Sequence, residues 1–312
     1  MSFTVTIKEE ISNIENSKSE LIAELSAYIR NNGEITSNYI KMTTENKFTV
    51  DRVNKTLNML YSIDPEVSII NNVNFSKKDL YQIKITEKIP IILQDLGISD
   101  ENNKKLTIVP NYIVDGDEEI RGYLRGAFLS SGSINDPKKS RYHMELLIES
   151  PEESVFIQKL LNLYDLNAKI LNREKGYMIY IKEAEKISDF LRILGASKAV
   201  MYFENVRIYR DQKNKTNRLN NCEQANIDKV IETANNQLKQ IKTIEDNDGL
   251  TLIDDKTKEA LEYRKKYPEA SLKELAEIIS LETNKKITKS GLNHRMRKIK
   301  ELAENFEKMH NN

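Results

Sequence analysis

The sequence predicts an α+β protein: two related repeats of helices and antiparallel strands joined along a shared two-helix seam, followed by a small all-α domain. Three observations carry this reading. The segment Leu21–Ile35 recurs as Ile120–Ile134, strands and helices follow each copy in the same order, and beyond Gly249 only helical periodicity remains.

Taken in chain order, the first repeat is expected over 1–110 and the second over 111–205. Ser17 and Glu20 have the spacing of a capping box that opens the first recurring helix. Within the two copies, Ala23 matches Gly122 and Ala27 matches Gly126, so each helix carries two small residues four apart on one face. Such faces let two helix backbones approach closely, and the two copies are expected to pack on each other there. Gly33 and Gly132 end the copies and are expected in the left-handed cap that favours glycine. Strands are predicted at Ser37–Thr44 and Ser140–Glu149, and helices at Asp51–Tyr61 and Pro151–Tyr164. Strand pairs follow at Val67–Val73 with Leu80–Ile85, and at Ala168–Leu171 with Gly176–Ile181. Helices at Ile89–Leu96 and Ala184–Leu194 close the two units.

Residues 206–249 read as a basic stretch and a linker helix. Arg207, Arg210, Lys213, Lys215 and Arg218 supply the charge, and Ala225, Ile227, Val230, Ile231, Ala234, Leu238, Ile241 and Ile244 recur at helical spacing. The polar run Glu245–Gly249 predicts a hinge. Cys222 lies within this helix and is expected to be packed rather than nucleophilic.

The last domain, 250–312, reads as a helix-turn-helix. One helix runs to Pro268, Ser271 and Glu274 form a second capping box, and Leu272, Leu275, Ala276 and Ile279 mark an inward face. A connection is expected from Leu281 to Lys289, with Thr288 or Ser290 capping the final helix. At about 100° per residue, Leu292, Met296, Ile299 and Ala303 share the inward face, while Asn293, His294, Arg297 and Lys298 point outward. The net charge of zero (48 Lys+Arg against 48 Asp+Glu) hides a dense local cluster. Lys285, Lys286, Lys289, Arg295, Arg297, Lys298 and Lys300 occur with no acid between Asn284 and Lys300, which suggests a polyanion partner.

Composition excludes several classes. At 39 % hydrophobic and 31 % charged residues, the chain reads as a globular protein with a heavily solvated surface. No apolar run is long enough for a membrane span, and the acidic N-terminus is unlike a signal peptide. A single cysteine excludes a disulfide framework and points to a reducing cytoplasm. His143, His294 and His310 are too far apart in sequence for a His-rich centre, so no metal and no cofactor are expected. Phosphate-binding glycine loops and the His-Glu-x-x-His zinc pattern are missing, and no small-molecule substrate is evident.

The segment Leu124-Arg125-Gly126-Ala127-Phe128-Leu129-Ser130-Ser131-Gly132-Ser133 resembles the LAGLIDADG helix of homing endonucleases, and Leu25–Gly33 resembles a more degenerate partner. With Asn221–Asn226 in the linker and Ser290–Arg295 near the end, the whole chain resembles the WhiA family of Gram-positive bacteria. That resemblance implies a cytoplasmic, nucleoid-associated regulator of transcription that acts in cell division, chromosome segregation and, in spore-formers, sporulation. Its implied partners are double-stranded DNA and other regulators of the same pathway. LAGLIDADG nucleases carry a carboxylate just before the terminal glycine of each helix to hold Mg²⁺; here these positions are Asn32 and Ser131, so no catalytic residue is assigned. Arg121, Arg125, Lys138, Lys139, Arg141 and Arg173 remain candidates for a non-catalytic surface on the repeats.

The expected DNA-contacting set lies within Ser271–Glu304: Lys285, Lys286, Lys289, Ser290, Asn293, His294, Arg295, Arg297 and Lys298. Two other readings stay open, a metal-dependent endonuclease and an adaptor whose basic helix binds an acidic protein.

Overall fold

The computed structural model describes residues 2–70, 79–139 and 141–310. The chain forms two compact units, 1–211 and 212–312. The boundaries expected at 205/206 and 249/250 differ from this division, which falls inside one helix.

Unit 1 begins with α1 (Phe3–Ser12), a helix that the periodicity of the sequence did not predict. Then come α2 (Lys18–Asn32), β1 (Glu34–Ile35), β2 (Ile40–Thr44), α3 (Lys47–Tyr61), β3 (Glu66–Ile70), β4 (Leu80–Ile85) and α4 (Ile89–Asp95). The second repeat gives α5 (Asp117–Ser131), β5 (Gly132–Ile134), β6 (Met144–Ile148), α6 (Pro151–Leu163), β7 (Lys169–Arg173), β8 (Gly176–Ile181) and α7 (Ala184–Ile193). Each repeat contributes an antiparallel four-stranded sheet, ordered β1-β2-β4-β3 and β5-β6-β8-β7. Registers correspond too: Ile40 pairs with Ile85 and Thr44 with Tyr81, as Met144 pairs with Ile181 and Ile148 with Tyr177. Residues 71–73 of the strand expected from Val67, and Ser140 of the strand expected before Glu149, lie outside the described residues.

Alternation decides which way each strand faces. Ile40, Met42 and Thr44 are buried while Lys41 and Thr43 between them are half-buried, the pattern of a sheet with one face on a core. That core is continuous through unit 1 and includes Ile7, Leu57, Ile83, Phe128, Leu146, Ile179 and Phe190. α1 completes it with Ile7 and Ile11, and Lys8 donates to the Leu129 carbonyl at 2.9 Å. Burial pulls the Lys8 ammonium down to about 8.

The seam is α2 against α5. Ser17 and Glu20 form the expected capping box at the start of α2. A side chain on Gly122 would meet the Glu20 carbonyl at 2.6 Å, and one on Gly126 would collide with the Glu24 carbonyl. Small residues are therefore a steric requirement of this crossing. The terminal glycines correct an expectation. Gly33 has φ −87° and Gly132 φ −76°, so neither adopts the left-handed cap. What excludes a side chain there is crowding from the preceding turn, by the Ile29 carbonyl at 2.5 Å and by the Phe128 ring.

Glu24 carries the charge buried at this seam. Its side chain is 3 % exposed and takes Arg52 Nε at 2.7 Å and Nη2 at 3.0 Å from α3, and Arg125 Nη1 at 3.3 Å from α5. The remaining guanidinium hydrogens reach the carbonyls of Ile14 (2.6 Å) and Leu194 (3.2 Å). Arg125 is thus a buried structural group, not part of a surface on the repeats.

α8 (Ser197–Asp246) begins in unit 1, where Ala199 and Phe203 join the core, and Glu10 of α1 accepts from the N–H groups of Lys198 (2.6 Å) and Ala199 (2.9 Å). In unit 2, Ile241 and Ile244 at its end pack with Ala260, Leu261, Leu275, Ile279, Leu292, Met296, Ile299 and Ala303. Gly249, the expected hinge, is buried, and a side chain there would meet the Phe306 ring at 2.6 Å. Cys222 is exposed, contrary to the packed position expected. No described helix is long and apolar enough to cross a membrane.

Two substitutions test the seam. Gly126→Leu should cost unit 1 about 1–3 kcal/mol or more by overpacking. Glu24→Leu, which strands two buried guanidiniums, should cost about 3–5 kcal/mol. Urea unfolding followed by circular dichroism reads both; midpoints equal to the parent's would refute the crossing and the ionic cluster respectively.

Candidate nucleic-acid interface

Unit 2 positions its final helix through local chemistry. α9 (Asp255–Lys266) is capped by Asp254, whose carboxylate accepts from Thr257 N–H at 2.9 Å. The chain turns at Pro268 with Arg264 beneath it. This arginine is 1 % exposed and donates to the Ala270 carbonyl at 2.6 Å. Ser271 and Glu274 form the expected capping box of α10 (Leu272–Thr283). Asn284 then takes a left-handed conformation, φ 54°. The connection is tighter than the Leu281–Lys289 span expected, occupying 284–288. Ser280 explains why: its hydroxyl accepts from Ile287 N–H at 2.9 Å and donates to the Ala276 carbonyl at 2.7 Å, holding the turn closed. Thr288, not Ser290, caps α11 (Lys289–His310) by accepting from Gly291 N–H at 3.1 Å.

The predicted inward face of α11 is buried as expected, with Leu292, Met296, Ile299 and Ala303 each at 3 % exposure or less. The predicted contact residues divide into two groups. Arg295 turns toward α9, donating to the Lys256 carbonyl at 3.1 Å and pairing with Glu259 at 3.4 Å. Lys298 pairs with Asp254 at 3.1 Å, and Lys285 with Glu259 at 4.0 Å. Lys286, Lys289, Ser290, Asn293, His294 and Arg297 are exposed, as are Lys285 and Lys298 beside their acids. Among the described residues, Lys286, Lys289 and Arg297 make no ion pair. The first six therefore form the open polar surface of the turn and helix.

A flank of this surface escaped sequence reasoning. A groove of about 490 Å³ separates Asn293, Arg297 and Lys300 of α11 from Thr233, Asn236 and Gln240 of α8. Gln237 lies in its wall, 7 % exposed, with Oε1 unpartnered among the described residues. The signal was available in the amides Asn236, Gln237 and Gln240, but Gln237 falls among the apolar positions Ala234, Ile241 and Ile244 and the other two flank that stripe, so the periodicity of α8 hides them.

The degenerate nuclease positions serve other ends. Asn32 donates to the Thr43 carbonyl at 2.8 Å and to the Tyr28 hydroxyl at 3.2 Å, tying the end of α2 to β2. Ser131 Oγ is buried without a partner among the described residues. Nearby carboxylates are engaged: Glu34 by Lys41 and by the Tyr39 hydroxyl (2.7 Å), Asp136 by the Tyr202 hydroxyl (3.2 Å) and Lys138 N–H (2.9 Å). Of the bases proposed for the repeats, Arg121 pairs with Asp117 at 2.8 Å and Arg173 reaches Met178 Sδ at 3.6 Å. Lys138, Lys139 and Arg141 are exposed. On the first sheet, Lys41 and Lys84 are matched by Glu34 and Glu66, and on the second His143 is matched by Glu145 at 3.0 Å.

Paired LAGLIDADG-like repeats ahead of a helix-turn-helix unit define the class of protein. Family models for the WhiA N-terminal LAGLIDADG-like domain, the WhiA LAGLIDADG-like domain and the WhiA C-terminal HTH domain match residues 18–99, 120–213 and 216–303 in turn. A protein of Enterococcus faecalis named "Probable cell division protein WhiA" is 41 % identical over 311 residues, spanning 97 % of this chain and 98 % of its own. One of the same name from Staphylococcus epidermidis is 42 % identical over 308 residues, with 97 % of each covered. The crystal structure of full-length WhiA from Thermatoga maritima shares the fold, with TM-score 0.59 and 24 % identity, covering 98 % of this chain and 99 % of that one. The chain belongs to the WhiA family.

The ion pairs behind α11 give a pH dependence. The Lys298 ammonium and the Thr257 N–H hold the Asp254 carboxyl down from 3.8 to about 2. Asp254 thus binds a proton more weakly in the fold than in the unfolded chain. Its stabilising contribution is complete above about pH 4 and lost as pH falls toward 2. Glu282 behaves alike through Tyr267 and Lys266, lowered to about 2. Thermal midpoints of unit 2 at pH 6, 4, 3 and 2 should fall across the lower half of this range, and Asp254→Asn should remove part of that fall. An identical profile in the variant would contradict the pairing.

Proposed function

We propose that this chain is a sequence-specific DNA-binding transcriptional regulator of cell division, with α11 as the reader and the LAGLIDADG-like unit as a non-catalytic scaffold. The observation that carries the reading is the open surface of Lys286, Lys289, Ser290, Asn293, His294 and Arg297, mounted on a rigid turn. Guanidinium and amide groups match guanine and adenine edges, and the lysines suit phosphates. Arg295 and Lys298 are assigned to holding α11 on α9, a narrower role than direct contact, while Lys285, exposed in the connection, stays with the phosphate contacts. Thr233, Asn236 and Gln240 of α8 flank the reader and extend it.

The scaffold role draws on the uncharged side chains at Asn32 and Ser131, since a hard divalent cation is poorly held by neutral oxygens alone. Cell division comes from the names of the relatives. Chromosome segregation, sporulation in a spore-forming host and a place on the nucleoid extend the same reading, as do partner regulators of that pathway.

Binding isotherms across a salt series test the assignment, using the full chain, residues 1–211 and residues 212–312. Lys286→Ala, Lys289→Ala and Arg297→Ala should each lower the slope of log affinity against log salt, by about one for every phosphate that the native side chain neutralises. Asn293→Ala and Arg297→Ala should reduce discrimination by about 1–3 kcal/mol where the native side chain bonds a base in bidentate fashion. Arg295→Ala should lower the melting midpoint more than it lowers that slope. Tight binding by residues 1–211 with none by 212–312 would move the reader to the scaffold. Cleavage of duplex in Mg²⁺ or Mn²⁺ that vanishes on mutating Glu34 or Asp136 would restore the nuclease.

A further inference from the structure

Unit 1 holds a cavity of about 470 Å³ that neither the seam nor the DNA reader accounts for. It lies beside the turn that follows α2, against α4 and the loop 97–106. Ile35, Ile89, Leu93 and Ile98 line it with branched aliphatic surface. Its volume falls in the range of small-molecule sites, about 300–1,000 Å³.

Thr36, Ser37, Ser99, Asn103 and Lys105 supply the polar part of the lining, with one cation among them. Ser99 and Lys105, both in the lining, stand opposite each other in an isolated antiparallel bridge. Directly opposed residues of such a bridge project to the same side. Ser99 is 6 % exposed, and its hydroxyl has no partner among the described residues. An unpaired buried hydroxyl is unfavourable, so rotation of Ser99 toward a ligand in the adjoining cavity would give it a partner. Lys105 forms no ion pair among the described residues and supplies one positive charge. The loop that carries both is fastened to the seam: Arg30 of α2 donates to the Leu106 carbonyl at 3.1 Å and to the Gly97 carbonyl.

We propose that this cavity binds an amphipathic organic anion, an alkyl chain ending in a carboxylate. The chain lies along Ile35, Ile89, Leu93 and Ile98, and the carboxylate accepts from Ser99 Oγ–H while it pairs with the Lys105 ammonium. A single cation suits a single negative charge, and the four aliphatic side chains suit an alkyl chain.

Isothermal titration of the full chain with sodium decanoate, kept below its micelle-forming concentration, tests the site. Saturable binding of one decanoate per chain is expected, with no detectable heat from acetate and about tenfold weaker binding of decanol. Lys105→Met should weaken decanoate about tenfold, Ser99→Ala several-fold, and Ile35→Trp should abolish it by filling the cavity. Should Ile35→Trp fail to fold by circular dichroism, Ser37→Trp at the exposed rim blocks the same entrance. Equal binding of decanol and decanoate, no loss in Lys105→Met, or uptake without saturation would each overturn the proposal.

Discussion

The closeness of α2 and α5 governs unit 1. Backbone carbonyls of Glu20 and Glu24 occupy the space where side chains on Gly122 and Gly126 would begin. Helices packed so tightly bury Glu24 to 3 % exposure, and an isolated carboxylate in that position would be costly. Arg52 and Arg125 answer it from α3 and α5, and their remaining donors find the carbonyls of Ile14 and Leu194. The steric fit and the ionic cluster are thus parts of one contact. Each sheet starts directly from an end of that pair, β1 after α2 and β5 after α5, so the seam also sets where the strands begin.

Much of this was legible. The recurrence of Leu21–Ile35 at Ile120–Ile134 located the seam, because small residues four apart have few other uses on a buried helix face. Period-two alternation found most strands, and β4 and β8 have the bounds expected from it. Inward residues of α11 followed from 100° geometry alone. What sequence could not supply was the destination of long side chains. Arg125 lies in a nominal LAGLIDADG motif and reads as a surface base, yet its guanidinium turns inward because Glu24 waits there. Arg295 and Lys298 belong to a run without acids, and their partners, Glu259 and Asp254, come from a helix more than thirty residues earlier. The expected left-handed glycines failed for a similar reason, since crowding by Ile29 and Phe128 is a matter of three-dimensional neighbours.

This division also clarifies a chain whose acids and bases are equal in number. On the first sheet Lys41 and Lys84, and behind α11 Arg295 and Lys298, are matched by carboxylates. Around the turn and outer face of α11, Lys286, Lys289 and Arg297 are exposed and make no ion pair among the described residues. In the proposed reading it is this local imbalance, not overall charge, that draws a polyanion to unit 2. Ser280 and Thr288 hold the turn on which those bases stand.

α1 has a consequence for the order in which the protein is made. Thr4 bonds to Ile134, Lys8 reaches the Leu129 carbonyl, and Glu10 caps residues 198 and 199. α1 therefore has no complete docking site until the chain has been made as far as Ala199. Ala23 and Ala27 wait as well, since their partner face arrives with Gly126. Such long-range closure is slow, because loop entropy must be overcome before the contact forms. Until those partners arrive, α1 keeps an unburied face that other nascent chains can meet.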